Sequence, residues 1–383
     1  MKKEFDFICA LVKVFLGSIN SDALKKFTCQ GDLDWQSVRS LLLYHELGPL
    51  AHIVLKDRKE EIPPELLEFL KTLFYGNVVR NTMLWEEFQK MNEVFYKRRI
   101  PLATLKGIGF LRTIYDKHPV RIMNDIDLLV PAEVFSEANS VFCDLGYEKE
   151  LDGFKEEYWR VHQCHLAFTL QERKNFRVEL HWGLDFKRKS RAAPESCWQR
   201  TRKIAEDKAP FTVLAPEDNI ISLALHQRRF GKLCNLKYAL DTALLLKAEG
   251  FDWQRLVSEA RIQHACSALY CLLFQTKLYL NVDIPKEHLA SLGVPYLRKK
   301  LLRIYLAEYT HLDPETLDQK YLFLKLHFLL YDTYWEPLWY AMNVPLEQFA
   351  KFYGLNPYFA ATQKAYRVRF IYMPWRILAK INR

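Results

Sequence analysis

Two acidic residues separated by one apolar residue are the strongest chemical signal in the sequence. They lie in the run Asn124-Asp125-Ile126-Asp127-Leu128-Leu129-Val130, which has the apolar content of a buried strand. Because side chains alternate along a strand, Asp125 and Asp127 point to one face and Ile126 and Leu128 to the other. Adjacent carboxylates repel each other unless a cation joins them, and hard divalent ions prefer carboxylate oxygens. The pair predicts a Mg²⁺ (or Mn²⁺) site of the kind that serves phosphoryl or nucleotidyl transfer; a solvated strand edge is the alternative.

A second run with complete alternation supplies a third acid. In Phe176-Arg-Val-Glu-Leu-His-Trp182 the even-numbered residues are apolar and the odd-numbered ones are polar, among them Glu179 and His181. Glu179 becomes a third carboxylate of the site if this strand lies beside the first one. The run His165–Leu170 alternates as well, and a hairpin whose two apolar faces meet one core needs paired positions that sum to an even number. This register places His165 on the face of Glu179.

A glycine follows a short apolar strand in Leu105-Lys106-Gly107-Ile108-Gly109. A glycine at a strand-to-helix turn lets backbone N–H groups approach a phosphate, whose charge the helix N-terminus favours. Lys106 and Arg121 add positive charge that suits a triphosphate. A tight turn without a ligand is the alternative for this segment.

The order of these elements resembles the nucleotidyltransferase fold of the DNA polymerase β type. That fold has a glycine turn, then a strand with two acids at alternate positions, then a strand with one acid. The chain is more closely similar to a bacterial family of uncharacterised nucleotidyltransferases. The matching segments are Leu105-Lys106-Gly107, Arg121, the run Asn124–Val130, Gly146-Tyr147, Val178–Trp182, the helices that carry His226 and Asp241, and the opening segment Trp35–Leu55.

The resemblance implies transfer of a nucleoside monophosphate from an NTP to an acceptor hydroxyl or phosphate, with pyrophosphate leaving. By position, Asp125 and Asp127 match the paired metal ligands, and Glu179 matches the third catalytic and metal-binding carboxylate. Gly107 matches the glycine of the phosphate turn. The other residues expected to bind nucleotide or phosphate are Lys106, Arg121 and His181, and the residues expected as further cleft contacts are His165, His226 and Asp241.

Three of these residues have more than one possible role. His181 lies two residues from Glu179, so we expect it to contact phosphate or to hold Glu179 rather than to act as the general base. His226, beside two arginines, is either a cleft contact or part of a structural polar cluster. Asp241 lies in an apolar helix where an unpaired carboxylate is costly, so we expect it to pair with His226 or a nearby basic residue.

The phosphate turn departs from the family pattern. Gly107 is flanked by Lys106 and Ile108, whereas the usual turn is Gly-Ser or Gly-Gly followed by a polar residue. This departure favours the alternative function, a catalytically inactive NTP-binding or partner-regulating protein on the same fold. The presence of all three acids favours the enzyme. Zinc is not predicted at His162 and His165, because their spacing matches neither a zinc ribbon nor a zinc finger.

The predicted secondary structure changes along the chain. Helical periodicity dominates residues 1–98, short strands occur over 99–183, and helical patterns return over 184–383. We therefore predict an α+β protein, in which a small mixed-sheet nucleotidyltransferase core (99–183), polymerase β-like by the resemblance, is flanked by an N-terminal helical block (1–98) and a C-terminal helical block (184–383).

Composition narrows the class of protein. Of the 383 residues 50% are hydrophobic and 26% are charged, so the chain can build a large core. Its apolar runs are shorter than the roughly 18 residues of a membrane-spanning helix. Eight scattered cysteines without a CxxC pair indicate reduced thiols in a cytoplasmic protein.

The net charge of +9 is concentrated at one end of the chain. Residues 364–383 contain six basic residues and no acid, so they account for most of the excess. A broad basic surface for nucleic acid is therefore not indicated, although a nucleic-acid acceptor stays open. The acceptor is otherwise a small molecule, a peptide or a protein. The basic tail either packs as a last helix or rests on an anionic surface.

Overall fold

A computed structural model of the chain describes residues 2–29, 33–170, 173–186, 195–230, 235–309, 326 and 328–369. Within these ranges a seven-stranded mixed sheet is surrounded by helices. Across the same ranges, no helix combines the length and the apolarity that crossing a membrane requires. Most of the basic tail, residues 370–383, lies outside the described residues, and so does Cys234. The other seven cysteines are free thiols.

The strands of the sheet come from three parts of the sequence, residues 103–129, 147–181 and 202–213. The strands are β1 (Ala103–Thr104), β2 (Ile126–Leu129), β3 (Tyr147–Glu150), β4 (His165–Leu170), β5 (Arg173–His181), β6 (Arg202–Ile204) and β7 (Phe211–Val213). Their order across the sheet is β3-β4-β5-β2-β1-β7-β6. The pairs β2–β5 and β1–β7 are parallel, and the other neighbouring pairs are antiparallel. The two acidic runs of the sequence therefore lie on adjacent strands in the middle of the sheet.

Helices precede the sheet, connect its strands and follow it. The helices before the sheet are α1 (Lys2–Phe15), α2 (Lys25–Thr28), α3 (Trp35–Tyr44), α4 (Gly48–Leu55) and α5 (Pro64–Lys97). Those between strands are α6 (Gly107–Leu111), α7 (Phe135–Asp144), α8 (Glu156–His162) and α9 (Glu195–Trp198). Those after it are α10 (Pro216–Phe230), α11 (Leu236–Leu245), α12 (Trp253–Ile262), α13 (Cys266–Leu280), α14 (Lys286–Ser291), α15 (Tyr296–Tyr309), α16 (Trp335–Met342), α17 (Leu346–Tyr353) and α18 (Ala360–Arg367).

Two hydrophobic cores hold these layers together. One face of the sheet, including Ile126 and Leu128, packs against the C-terminal half of α5 and against α7. The second core joins the helices on either side of the sheet region, because α1, α4 and α5 pack with α10, α11 and α13. The helices before and after the sheet thus share one core.

Several predicted elements are confirmed. The strand His165–Leu170 has the predicted bounds. The β4–β5 pairing has the predicted parity from His165↔His181 to Thr169↔Arg177, although the register shifts beyond Thr169. The chain is a mixed α/β protein, as predicted.

Other details were wrong. Only helices were expected after residue 183, yet β6 and β7 complete the sheet. These strands have only three residues each, too few to show a period in the sequence. Strand β3 was also missed, because its sequence Tyr-Glu-Lys-Glu has three charged residues in a row and no apolar alternation. Within the predicted N-terminal helical block, residues 64–97 form one helix, α5, of 34 residues. The bounds of the three predicted parts of the chain stay predictions.

Candidate active site

The two acidic runs meet side by side. In the parallel pairing of β2 with β5, Asp127 lies directly opposite Glu179. Ile126 and Leu128 point to the opposite face and are buried in the core, as alternation requires. Asp125, one residue before β2, lines the same cleft as the other two acids. The prediction that Glu179 lies beside the two aspartates is therefore confirmed.

The three carboxylates differ in charge state because their neighbours differ. Burial and the negative charges of Asp127 and Glu179 raise the pKa of Asp125 to about 7. Burial also tends to raise the pKa of Asp127, but Lys106 and a hydrogen bond from His181 outweigh burial and hold this pKa well below its usual range. Burial opposes ionisation of Glu179 as well, but His181 and His165 lower its pKa to about 2. The negative charges of Asp127 and Glu179 thus oppose ionisation of Asp125, and a cation bound among the three carboxylates would relieve this repulsion.

Two histidines lie behind the carboxylates. His181 Nε2 lies 3.0 Å from Asp127 Oδ1 and 3.4 Å from Glu179 Oε2. His165 Nε2 lies 3.6 Å from Glu179 Oε2, which places His165 on the predicted face. Burial lowers the pKa of His181, but its hydrogen bond with Asp127 and its contacts with Cys164 and Glu179 outweigh burial and raise it to about 10. The protonated ring can thus donate to both carboxylates.

A thiol and an arginine adjoin these histidines. Arg229 Nη1 lies 3.3 Å from Cys164 Sγ and 3.5 Å from His165 Nδ1. Burial raises the pKa of the Cys164 thiol, but the positive charge of Arg229 and its contacts with His165 and His181 lower it to about 5. Cys164 is therefore a buried thiolate next to the carboxylate cluster.

The turn after β1 directs a lysine into the cluster. Lys106 has φ 46° and ψ −127°, a backbone conformation that residues other than glycine rarely adopt. Its buried ammonium lies 3.7 Å from Asp127 Oδ2. At Gly107 a Cβ would come within 2.9 Å of Met123 Sδ and 3.3 Å of Arg121 Nη1. The strained residue of the turn is thus Lys106, while Gly107 allows the side chains of Met123 and Arg121 to approach the turn closely.

Arg121 is held by a residue from the helices after the sheet. Its Nε and Nη2 donate to the Asp241 carboxylate at 3.0–3.1 Å, and the Tyr115 hydroxyl donates to the same carboxylate at 2.7 Å. The expected pairing of Asp241 with a basic residue is confirmed, and the partner is Arg121 rather than His226. Asp241 itself is fully buried and does not line the cleft, so the expectation that it is a cleft contact was wrong. It acts on the cleft only through Arg121.

Polar residues of α5 position the segment that leads into β2. Asn77 Nδ2 donates to the Pro119 carbonyl at 2.7 Å, and Asn81 Nδ2 donates to the Arg121 carbonyl at 3.0 Å. Arg80 Nη2 donates to the carbonyl of Asn124 at 2.8 Å. These donors lie three and four residues apart and so share one face of the helix. The polar stripe of α5 therefore fixes the backbone that carries Arg121 and Asp125.

The opposite wall of the cleft comes from α10 and α11. His226 Nδ1 lies 2.8 Å from the Tyr238 hydroxyl, and burial together with the charges of Lys106 and Arg229 holds the pKa of His226 well below its usual range. Lys237 forms an ion pair with Glu46 from the break between α3 and α4. His226 therefore lies in the cleft as a neutral imidazole.

The two arginines beside His226 have separate roles. Arg229 lines the cleft, whereas Arg228 is fully buried and pairs with Asp185 at 2.8 Å. The cleft residues that sequence reasoning missed are Glu46, Ile122, Met123, Arg177, Lys237 and Tyr238. Arg177 could have been found from its alternation with Glu179, and Lys237 and Tyr238 from their helical spacing to Asp241. Nothing in the sequence marks Glu46.

The cleft combines acids and bases in a small volume. It encloses about 230 Å³, and the carboxylates share it with Lys106, Arg121, Arg177, Arg229 and Lys237. A larger cavity of about 840 Å³ is lined by residues of 152–162 and 347–358 and by none of the predicted site residues. A surplus of fixed cations around three acids suits a polyanionic ligand that arrives with a divalent metal.

The donor atoms fit such a metal. Within the described residues, Asp127, Glu179 and His181 offer ligand atoms that all lie within 4.8 Å of one another. Asp127 and Glu179 belong to the predicted metal set, and its third member, Asp125, lines the same cleft. Carboxylate oxygens are the donors that Mg²⁺ prefers.

Comparison with known proteins agrees with this site. Comparisons with curated proteins and with solved structures gave no significant match. A model of the family described as uncharacterised nucleotidyltransferase matches residues 31–281, which is well over half of the chain and includes every residue of the cleft. The chain therefore belongs to this family of uncharacterised nucleotidyltransferases.

Proposed function

We propose that the protein transfers a nucleoside monophosphate from an NTP to an acceptor hydroxyl or phosphate, with pyrophosphate leaving, on a polymerase β-type core. The observation that carries the proposal is the direct pairing of Asp127 with Glu179 on adjacent parallel strands, inside a cleft lined by five basic residues. Nucleotidyl transfer is catalysed mainly by positioning and by neutralising charge on the phosphates. The cleft supplies groups for both.

Mg²⁺ or Mn²⁺ would be held by Asp127 and Glu179, with Asp125 completing the set, and would supply charge neutralisation at the transferred phosphate. The raised pKa of Asp125 supports this assignment, since it reflects repulsion among carboxylates that a cation would relieve. His181 holds two of the carboxylates from behind through its Nε2.

The basic residues would bind the triphosphate. Lys106 and Arg229 are buried at the base of the cleft, and Lys237 approaches from the opposite wall. Arg121 is held by Asp241 with two of its nitrogens, so its Nη1, on the side of Gly107, is the atom directed at phosphate. A pre-oriented guanidinium loses little freedom when the ligand binds.

The acceptor would enter on the side of Glu179. Arg177 Nη1 lies 3.0 Å from Glu179 Oε1, and Arg177 Nε lies 3.0 Å from Glu150 Oε2. Arg177 thereby orients the third carboxylate from the solvent side. A small molecule, a peptide or a protein is the expected class of acceptor.

Mg²⁺-dependent binding of each of the four NTPs, measured by calorimetry, tests the proposal. We expect one NTP to bind wild type, and we expect the heat to be lost in the variant with both Asp125→Ala and Asp127→Ala. The exposed Asp57→Ala provides a matched control that should bind like wild type. Absence of NTP binding by folded wild-type protein would contradict an autonomous enzyme.

A second function is favoured by the lysine in the turn. The Lys106 ammonium lies 3.7 Å from Asp127 Oδ2 and already neutralises part of the charge that a metal would meet. A protein that binds NTP without turnover, or that regulates a partner, would keep this arrangement. Such a protein would bind NTP but release no pyrophosphate with any acceptor. Release of a nucleoside diphosphate would instead indicate transfer of the γ-phosphate.

A further inference from the structure

Two stacked imidazoles separate a carboxylate side of the site from a thiol side. The rings of His165 and His181 lie 4.9 Å apart between centroids, with 28° between their planes. On the carboxylate side, each ring turns its Nε2 to Asp127 or Glu179, at distances of 3.0 to 3.6 Å. The Nδ1 atoms are therefore the ones left for other partners.

The Nδ1 side of the two rings meets a sulfur atom. Cys164 Sγ lies 3.6 Å from His165 Nδ1, and Cys164 is also a direct neighbour of the His181 ring. Within the described residues, Cys164 Sγ and one nitrogen of each imidazole all lie within 4.8 Å of one another. His181 is 2% exposed, and its Nδ1 has no hydrogen-bond partner among the described atoms. A buried ring nitrogen without a partner is costly unless a ligand satisfies it.

We propose that Cys164 Sγ, His165 Nδ1 and His181 Nδ1 form a binding site for a thiophilic divalent metal of the Zn²⁺ class, separate from the carboxylate site. With metal–sulfur and metal–nitrogen bonds of about 2.3 and 2.1 Å, adjacent tetrahedral ligands are about 3.6 Å apart. The observed separation of Cys164 Sγ and His165 Nδ1 is 3.6 Å. Three protein ligands leave a fourth position for water or an incoming group.

The carboxylates support the site from behind the histidines. A histidine that binds a metal through one nitrogen usually donates its other N–H to a carboxylate, which fixes the tautomer and makes the ligand more basic. His181 does so toward Asp127, and His165 has Glu179 within 3.6 Å. The same carboxylates therefore serve the thiophilic site as hydrogen-bond acceptors and the hard-metal site as ligands.

The positively charged guanidinium of Arg229 already contacts two of the proposed metal ligands. Its Nη1 lies 3.3 Å from Cys164 Sγ and 3.5 Å from His165 Nδ1. A metal at the site must displace this nitrogen, so Arg229 acts as an internal competitor. Its removal should tighten metal binding, which distinguishes a metal site from a purely structural cluster in which every substitution is harmful.

Co²⁺ titration of the full chain, in a large excess of Mg²⁺, tests the proposal. The Mg²⁺ saturates hard oxygen sites, and a thiolate bound to Co²⁺ gives a charge-transfer absorption in the near ultraviolet. We expect this band to saturate at one Co²⁺ per chain in wild type and to be displaced by Zn²⁺. We expect it to be lost in Cys164→Ser and kept in Cys143→Ser, a control at an exposed free thiol.

Two further variants keep the test decisive if Cys164→Ser does not fold. His165→Gln should weaken Co²⁺ binding at least about tenfold, because loss of a group that only orients a ligand already costs that much. Arg229→Gln should bind Co²⁺ more tightly than wild type. A missing band in folded wild type, or a band that survives in Cys164→Ser, would overturn the proposal. The readout does not require turnover or NTP, so its failure and that of nucleotidyl transfer are distinguishable.

Discussion

Arg121 and Asp241 are joined by a buried bidentate ion pair although 120 residues separate them in the chain. Arg121 lies just before the acidic strand β2, and Asp241 lies in α11, whose side chains pack in the core of the helices. Burial would lower the pKa of Arg121, but Asp241 raises it above its usual range, and the two charges remain paired without solvent. The pair thus connects the phosphate side of the cleft to the helical part of the protein.

Asp241→Ala should cost about 3–5 kcal/mol of unfolding free energy, because it leaves the Arg121 guanidinium buried without its partner. The double variant Arg121→Met with Asp241→Leu should regain most of this loss, since no charge is then buried. Urea unfolding measures both values. In the double variant NTP affinity should stay weak while stability recovers, so restored affinity would contradict a phosphate-binding role for Arg121.

Gly109 is required by packing between α6 and the sheet. A Cβ at this position would come within 2.3 Å of Thr104 Oγ1 and 3.4 Å of Val213 Cγ1. We therefore expect Gly109→Ala to lower the unfolding free energy by about 1–3 kcal/mol. Gly76 is the matched control, because it lies exposed within α5 with no atom within 4 Å of an added Cβ. Gly76→Ala should raise stability by about 0.5–1 kcal/mol, and equal effects in thermal unfolding would rule out the packing argument.

The strands that carry chemistry could be predicted because their patterns are local. The alternation around Asp127 and Glu179 gives the buried face, and its parity gives the β4–β5 register with His165 opposite His181. The neighbourhood of β2 and β5 is a long-range pairing. It was expected from the resemblance to the nucleotidyltransferase fold, in which the third acid lies on a strand of the same site.

The opposite wall of the cleft could not be predicted in the same way. Glu46 reaches the cleft because the chain breaks between α3 and α4, where Glu46 has φ 57°, and no periodicity marks that break. Arg228 and Arg229 are adjacent in the sequence, yet one binds Asp185 and the other faces the cleft. Neighbouring residues on a helix point about 100° apart, so the orientation of α10 decides their roles. That orientation depends on packing against α13, which local patterns do not encode.

His226 should make stability depend on pH in the acid range. Burial and the charges of Lys106 and Arg229 lower its pKa in the folded state, so the unfolded chain binds more protons below about pH 6.5. Unfolding free energy should therefore fall as pH decreases below about 6.5, by up to about 1.4 kcal/mol per pH unit from this residue, and be unaffected above it. His226→Gln keeps a partner for the Tyr238 hydroxyl and should reduce this fall of unfolding free energy at acid pH.

Urea unfolding at several pH values between 5 and 8 measures the difference in unfolding free energy between wild type and His226→Gln. The exposed His118→Gln is the control for a histidine outside the cleft. Other acid-titrating groups are common to all three proteins, so the difference curve isolates His226. A difference curve that is flat across pH 6.5 would contradict the assignment of a neutral, buried imidazole.

Substitution of Lys106 should separate its cost to stability from its contribution to NTP binding. Its backbone conformation, φ 46° and ψ −127°, costs about 1–3 kcal/mol for a residue with a Cβ, and burial lowers the pKa of its ammonium against the pull of Asp127. Lys106→Gly relieves the backbone strain, whereas Lys106→Gln removes the charge and keeps the strain. We expect Lys106→Gly to be the more stable of the two in urea, and both to lose about 1.5–3 kcal/mol of NTP affinity. If Lys106→Gly instead bound NTP as tightly as wild type, the lysine would serve only to neutralise Asp127, and the triphosphate would depend on Arg229 and Lys237.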